Sequence, residues 1–363
     1  MISVLQENLN KSLVAVGRVI AKNPVLPILR TVLCNHGDGV LTLRGTDLTT
    51  TITETVPVKG NDAAQFCANW DDLRKLVATL PKLGVVELEA DGRNLRVSCG
   101  RVKARLPILA ASEYPAYREA PEDAVAVILD PMMLRLGLRR VLDAAGADEY
   151  RPILTGVNLR FRGGLLALAC TDGVRLHVQS VATEKGEYEG EVNVPAESAK
   201  EWLRALGTEP VTLLLSPVAV YLRTGNAEIQ SVRIAGSFPN YGQLIPLVSG
   251  NIVTLASESL IDAAKTAAVV DASILRLTLE DGAMRVTARE AEDGDVDVWL
   301  DVTVTGEPSK IALNGKYLLE ALEAMGGGQA TMQTSSPSAA AVLRRVDDDG
   351  YVAVLMPMFM QWE

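Results

Sequence analysis

Little in this chain is suited to catalysis or to holding a metal. Four cysteines, Cys34, Cys67, Cys99 and Cys170, are scattered through 363 residues without a CxxC pair, a spacing that suggests neither a disulfide framework nor a thiolate zinc site. Two histidines, His36 and His177, leave little material for a histidine metal site, a catalytic triad or a proton relay. There is no P-loop, no GxGxxG opening a helix and no GxSxG, so the commonest phosphate, dinucleotide and acyl-transfer signatures are missing. No uninterrupted apolar run approaches the roughly 18 residues that span a bilayer, and nothing basic precedes the apolar residues between Met1 and Leu9, so a cytoplasmic protein is expected. Positive charge is also in short supply. Lys and Arg total 35 against 45 Asp and Glu, for a net charge of −10, which excludes a basic surface throughout but permits a local basic stripe.

An apolar fraction of 48% with 22% charged residues supports a packed core and excludes wholesale disorder. At roughly 100 to 200 residues per domain the length calls for two or three domains, and internal repetition decides which. Leu26-Pro27-Ile28-Leu29 is followed by Gly45-Thr46-Asp47-Leu48, and 125 residues on, Arg151-Pro152-Ile153-Leu154 is followed by Cys170-Thr171-Asp172-Gly173. The turn dipeptide Asp38-Gly39 falls at that offset on Gly163-Gly164, and 118 further on lies Asp281-Gly282; each joins two apolar runs, as in a tight hairpin. Tyr114-Pro115-Ala116-Tyr117 precedes Phe238-Pro239-Asn240-Tyr241 by 124, and Pro357 follows Pro239 by 118. Three repeated domains are therefore expected, 1–120, 121–247 and 248–363, joined by short linkers near Glu119 to Asp123 and Pro246 to Gly250.

Hydrophobic periodicity places a first helix of each repeat at Glu7 to Lys22, Pro131 to Gly146 and Glu258 to Asp271, and a second at Asp71 to Leu80, Ala196 to Leu206 and Gly315 to Met325. Between them run Thr- and Val-rich alternating stretches, about eight short strands per unit, so the expected class is α+β with helices packed on antiparallel sheets. On the first helix Leu9, Leu13, Val16 and Ile20 form a core stripe, and Lys11, Arg18 and Lys22 lie diametrically opposite. Lys75 and Lys82 extend the basic face in the second helix and Arg135, Arg139 and Arg140 in the third, whereas acids outnumber bases on the last three. An ordinary solvated face explains any one such stripe; equivalent helices lining one concave surface would instead form a track for a phosphate backbone, read without regard to base sequence.

Taken together, Leu26 to Leu29 with Gly45 to Leu48, Arg151 to Val157, Thr171 to Leu176, Phe238 to Tyr241 and Leu355 to Met358 resemble the bacterial DNA sliding clamp family, the β subunit of the DNA polymerase III holoenzyme, along the whole chain. The resemblance implies a non-catalytic processivity factor: a head-to-tail homodimer forming a six-domain ring, with twelve helices lining a hole for double-stranded DNA. Lys11, Arg18, Lys22, Lys75, Lys82, Arg135, Arg139 and Lys200 become candidate channel residues. A hydrophobic pocket for short peptides of the polymerase III α subunit, the clamp loader, other polymerases and repair proteins maps onto Leu154, Thr171, Gly173, Arg175, Leu176, Pro239, Leu244, Val354, Leu355, Met356, Pro357 and Met358. Its aliphatic and methionine side chains would adapt to varied anchors, with Arg175 fixing orientation. Across the dimer contact Leu106 would meet Val269 and Val270. No cofactor is implied, because in this family ATP is used by the loader.

Three features depart from the family pattern. Val174 stands where relatives are often polar, Gln243 where some carry arginine, and the chain continues beyond Met358 as Phe359-Met360-Gln361-Trp362-Glu363; Phe359 or Trp362 is expected to add an apolar wall to the pocket. Two other classes of protein fit parts of the sequence. In an enzyme, Asp47 and Asp172 would be reacting carboxylates, yet each follows a threonine at a strand end, where stabilising a turn is the commoner use. Gly326-Gly327-Gly328 follows a helix and reads as its stop. A repeat-built protein-interaction scaffold without DNA encirclement would keep the pocket and lose the basic stripe of Lys11, Arg18 and Lys22.

Overall fold

Six times among the described residues a strand leads into an α-helix. A computed structural model describes residues 1–60, 63–246, 250–270, 273–280, 282–290 and 294–360. Strand Ile2–Leu5 leads into α1 (Gln6–Val16), Ala64–Asn69 into α2 (Trp70–Thr79), and Val125–Leu129 is followed by α3 (Pro131–Val141). Gly190–Pro195 then leads into α4 (Ala196–Ala205), Asn251–Ala256 into α5 (Ser257–Ala267) and Ser309–Asn314 into α6 (Gly315–Met325). The spacing of buried side chains explains the docking of each helix: Leu9, Leu13 and Val16 in α1, or Leu318, Ala321, Leu322 and Met325 in α6, repeat every three or four residues and present one apolar stripe to a sheet. Asn69 and Asn314 cap α2 and α6 by accepting from the amides of Asp72 and Tyr317, both at 3.1 Å. Gly326, with φ at 77°, ends α6 as the glycine triplet suggested.

The first helices are shorter than the periodicity implied. α1 stops at Val16 and passes into a 3-10 turn, Gly17–Val19, so Arg18 lies in that turn and Lys22 beyond it. A distant residue meets the helix at this end: the Trp70 indole N–H donates to the Leu13 carbonyl at 2.7 Å, and the ring packs against Gly17 where any Cβ would collide with it. α3 and α5 likewise finish in 3-10 turns, Leu142–Ala144 and Ala268–Val270. The expected end of the fifth helix at Asp271 lies outside the described residues, as do Asp281 of the third turn dipeptide, Leu247, Val248 and Ser249 of the second linker, and Gln361, Trp362 and Glu363.

Every strand pairing among the described residues is antiparallel. Asp38 and Gly39 have φ of 51° and 73°, and Gly163 and Gly164 have 57° and 74°, the two positive values that a two-residue hairpin turn of the right twist requires. The chain forms two compact units, one of Met1–Pro131, Glu184–Gly186 and Lys200–Arg233, the other of Met132–Thr183, Glu187–Ala199 and Ile234–Glu363. The second repeat is thus divided between them. In the first unit Ala227–Val232 pairs with Thr50–Pro57, Ile229 opposite Ile52, and one sheet of twelve strands results. In the second unit Arg175–Ala182 pairs with Asp348–Leu355, Leu176 opposite Val354, within a sheet of nine strands; a separate four-stranded sheet carries Gly294–Asp301 at one edge. Ladder hydrogen bonds pass from one repeat to the next inside each unit, so these strand edges are not left open to other chains.

Candidate functional site

The resemblance placed twelve residues at one pocket, all of which lie in the second unit. The site begins with the turn after strand Leu165–Thr171. Thr171 Oγ donates to the Arg175 carbonyl at 2.5 Å and accepts from the Gly173 amide at 3.1 Å, while Asp172 Oδ1 accepts from the amides of Val174 and Arg175, both at 3.0 Å. Asp172 is therefore a turn former. Asp47 does the same, accepting from Thr49 and Thr50 at 2.8 and 2.6 Å. Gly173 has φ of 99°, a conformation that strains side chains with a Cβ.

From this turn Arg175–Ala182 runs beside the last strand, and the Met356 amide donates to the Val174 carbonyl at 2.9 Å. Leu176 and Val354 meet Phe238, Tyr241, Val342 and Ala169 in a small buried apolar cluster, against which Ile153 and Ile245 pack. Around it, part of the apolar surface stays open to solvent. Leu244 is 55% exposed, Met356 50% and Met358 37%, and Pro239 and Pro357 are half-buried. Large apolar side chains exposed beside a buried apolar floor are suited to an extended peptide with apolar anchors. Phe359 is 90% exposed and so does not form the wall expected of it; Trp362 is outside the described residues.

Arg175, expected to orient a ligand, is engaged within the chain. Its guanidinium is nearly buried, with Nε donating to Asp172 at 3.0 Å and the other nitrogens donating to Glu320 and to the Asp143 carbonyl. The Tyr317 ring lies 4.1 Å away. Through these three bonds Arg175 ties the turn to α6. Leu355, one residue from Val354, points to the opposite side and joins the core of the third repeat with Leu277, Val286 and Leu318. Leu154 is buried, as are Leu176 and Val354. Phe238 and Tyr241, repeat markers by their offset from Tyr114 and Tyr117, lie in the floor of the site beside the residues that the resemblance implies.

The candidate channel residues are placed as a solvated face requires. Lys11, Arg18, Lys22, Lys75, Lys82 and Arg139 are exposed, and Arg135 and Lys200 are half-buried. Lys75 is held by Asp71 at 2.6 Å, one turn earlier. Arg140, beside Arg139, is buried instead: it donates to Gln179 at 2.7 Å, to Asp348, and to the carbonyls of Ala324 and Met325 at 3.0 and 3.1 Å. Of the proposed dimer contacts, Leu106 is half-buried, Val269 is 81% exposed, and Val270 turns into the core of its own repeat.

Three family models, described as the N-terminal, central and C-terminal domains of the DNA polymerase III beta subunit, match residues 1–118, 129–240 and 242–359. The beta sliding clamp of Caulobacter vibrioides is 28% identical over 360 residues, 96% of each chain, and that of Vibrio cholerae is 25% identical over 362 residues, 98% of this chain and 99% of the other. The crystal structure of the DNA polymerase III subunit beta from Pseudomonas aeruginosa superposes with a TM-score of 0.95 at 26% identity, covering 99% of this chain and 100% of that one. From one end to the other, then, the chain belongs to the beta sliding clamp family, the non-catalytic processivity factors of DNA polymerase III.

Proposed function

We propose that two copies of this chain close head to tail around duplex DNA, and that the apolar site on the second unit tethers the polymerase III α subunit, the clamp loader, and other polymerases and repair proteins through short linear peptides. The observation that carries the tethering role is the exposed rim of Leu244, Met356 and Met358 beside the buried cluster of Leu176, Val354, Phe238 and Tyr241. Methionine side chains re-pack around unlike anchors at little cost, which suits one site that serves many partners.

Ring closure is supported by two strand edges of opposite charge. Between Val102 and Pro107 one strand pairs on a single side, with Asn94–Cys99, and its solvent face carries Lys103 and Arg105. Gly294–Asp301 is the edge strand of its sheet and exposes Asp295 and Asp301, with Asp297 between them paired to Arg285. Pairing these edges between copies would cover both and set bases opposite acids, with Leu106 and Val269 beside the join. In the three-domain division 1–120, 121–247 and 248–363, the ring then has six domains. Lys11, Arg18, Lys22, Lys82, Arg135, Arg139 and Lys200 meet DNA as scattered single charges, with Lys75 weakened by Asp71; such contacts hold a duplex loosely and permit sliding.

The test is topological. Loaded onto nicked circular DNA, the protein should stay bound in high salt and leave when the circle is cut. Equal retention on linear and circular DNA would reject encirclement in favour of ordinary phosphate binding. Leu244→Asp should abolish peptide capture while leaving retention on the circle unchanged.

A further inference from the structure

The turn that shapes the candidate peptide site has a counterpart 125 residues earlier, and the surroundings are repeated with it. Thr46 Oγ donates to the Thr50 carbonyl and accepts from the Leu48 amide, both at 3.0 Å, as Thr171 does for Arg175 and Gly173. The Val232 amide donates to the Thr49 carbonyl at 2.9 Å, as Met356 does to Val174. Pro115 and Tyr117 stand where Pro239 and Tyr241 stand in the later copy. Within the first unit these residues enclose a cavity of about 220 Å³.

Two features set this cavity apart from a remnant of duplication. The first is Leu48, which occupies the place of Gly173. It is held at φ of 78° and is 52% exposed. A leucine in the left-handed region is strained, and here the strain serves to present an apolar side chain at the cavity mouth, beside Val218 (49% exposed) and Val232 (41%). The second is Arg44, half-buried in the lining. One face of its guanidinium lies 3.7 Å from the centre of the Tyr117 ring, and its Nε donates to Thr53 at 3.0 Å. Among the described residues no carboxylate reaches it at ion-pair distance. Glu228 and Glu119 act on it from further off, and Glu228 is already engaged by the Tyr117 hydroxyl and by Arg223.

We propose that this cavity is a second peptide-docking site, for a linear segment in which a large apolar side chain neighbours a carboxylate. The apolar group would enter between Leu48, Val218 and Val232, and the carboxylate would pair with the guanidinium of Arg44. The volume is below the roughly 300 Å³ at which small-molecule sites begin, which favours a single anchor side chain over a cofactor. The inference borrows from the reading of the Leu176 site as a peptide site, through the repeated turn, but Leu48 and Arg44 are its own observations.

Methyl-labelled full-length protein titrated with N-acetyl-Leu-Asp-amide tests it. The methyl signals of Leu48 and Val232 should shift and saturate. The isosteric N-acetyl-Leu-Asn-amide should bind about tenfold more weakly, the worth of one charge-assisted pair, and Arg44→Gln should lose the same factor. Leu48→Gly places the residue favoured by left-handed backbone there, so it keeps the fold while removing the rim; its binding should vanish. Absence of saturable shifts at Leu48 and Val232, or equal affinity for both peptides, overturns the proposal. Leu244→Asp separates the two sites: the shifts at Leu48 should persist in it, and they uphold the second site even if the Val354 methyls never respond to peptide.

Discussion

Replacing Arg140 by methionine removes a buried cation and keeps most of its apolar stem. The side chain is 5% exposed and serves four acceptors, Gln179, Asp348 and the carbonyls of Ala324 and Met325 at the end of α6. Breaking a buried pair from one side costs about 3 to 5 kcal/mol, because the partner is left charged and unpaired. Two features place Arg140 at the lower end: Asp348 is 27% exposed and can recruit water, and Met325 keeps a second donor, Arg345 Nη1 at 3.2 Å. A loss of about 3 kcal/mol corresponds to roughly a hundredfold faster exchange of amides that open with this region. Hydrogen exchange at Tyr351, Val352 and Ala353, measured in the native protein, reads it directly. The control is Arg96→Met, whose pairs with Glu89 and Asp91 are about half exposed on both sides and whose loss costs little stability. If Arg140→Met speeds exchange no more than that control, the network does not hold the strand to α6 and the reasoning fails.

Other consequences can be measured with the same protein. His177 is fully buried; its Nδ1 donates to the Arg140 carbonyl at 3.0 Å, and Nε2 has no acceptor to meet were it protonated. Burial, with Arg175 nearby, pushes its pKa down from 6.5 to about 4. Its folded value lies below its unfolded one, so the unfolded chain binds the extra proton: stability should be full above pH 6.5 and fall by up to about 3 kcal/mol as the pH drops to about 4. Denaturation midpoints of His177→Gln should lack that part of the slope; parallel curves would count against it. Val269→Asp should leave the folded chain intact and raise the dimer dissociation constant about a hundredfold by burying an unpaired carboxylate, seen by sedimentation as a shift toward the 38.9 kDa chain. An unchanged dimer would move the interface elsewhere.

How much of this was legible beforehand follows from which interactions are local. Turn chemistry was read correctly, because Asp38-Gly39 and Thr171-Asp172-Gly173 satisfy their own backbone within a few residues. The six helices were found because their buried stripes recur in sequence. Their ends were not. α1 stops where Trp70, more than fifty residues away, takes the Leu13 carbonyl, and no window around Val16 contains that fact. The site residues divide in the same way. Leu176, Val354, Leu244 and Met356 came from motif resemblance, whereas the bonds of Arg175 to Asp172, Glu320 and the Asp143 carbonyl together span more than one hundred residues and no local motif shows them. Leu355 and Val270 were lost to strand alternation and helix phase, which decide a side chain's direction one residue at a time.

The repeat in the sequence and the cooperative unit in the fold are different objects here. Residues 121–247 form one copy by offset, yet Ala227–Val232 lies in the sheet that contains Ile2–Leu5 and Thr50–Pro57, and Arg175–Ala182 lies in the sheet that contains Asp348–Leu355. Stability should follow the sheets. Ile229, 1% exposed, faces Ile52 across a ladder that joins two repeats. Ile229→Ala deletes buried methyl groups and should cost about 2 to 5 kcal/mol. By the sheet argument, that loss accelerates amide exchange throughout Thr50–Pro57, in the first repeat, and leaves Arg175–Ala182, in the same repeat as the substitution, close to its parent rates. By the repeat argument the pattern is reversed. Exchange rates in those two strands after one substitution therefore decide whether the duplicated segment still behaves as a domain, or whether sharing its strands with both neighbours has made it part of each.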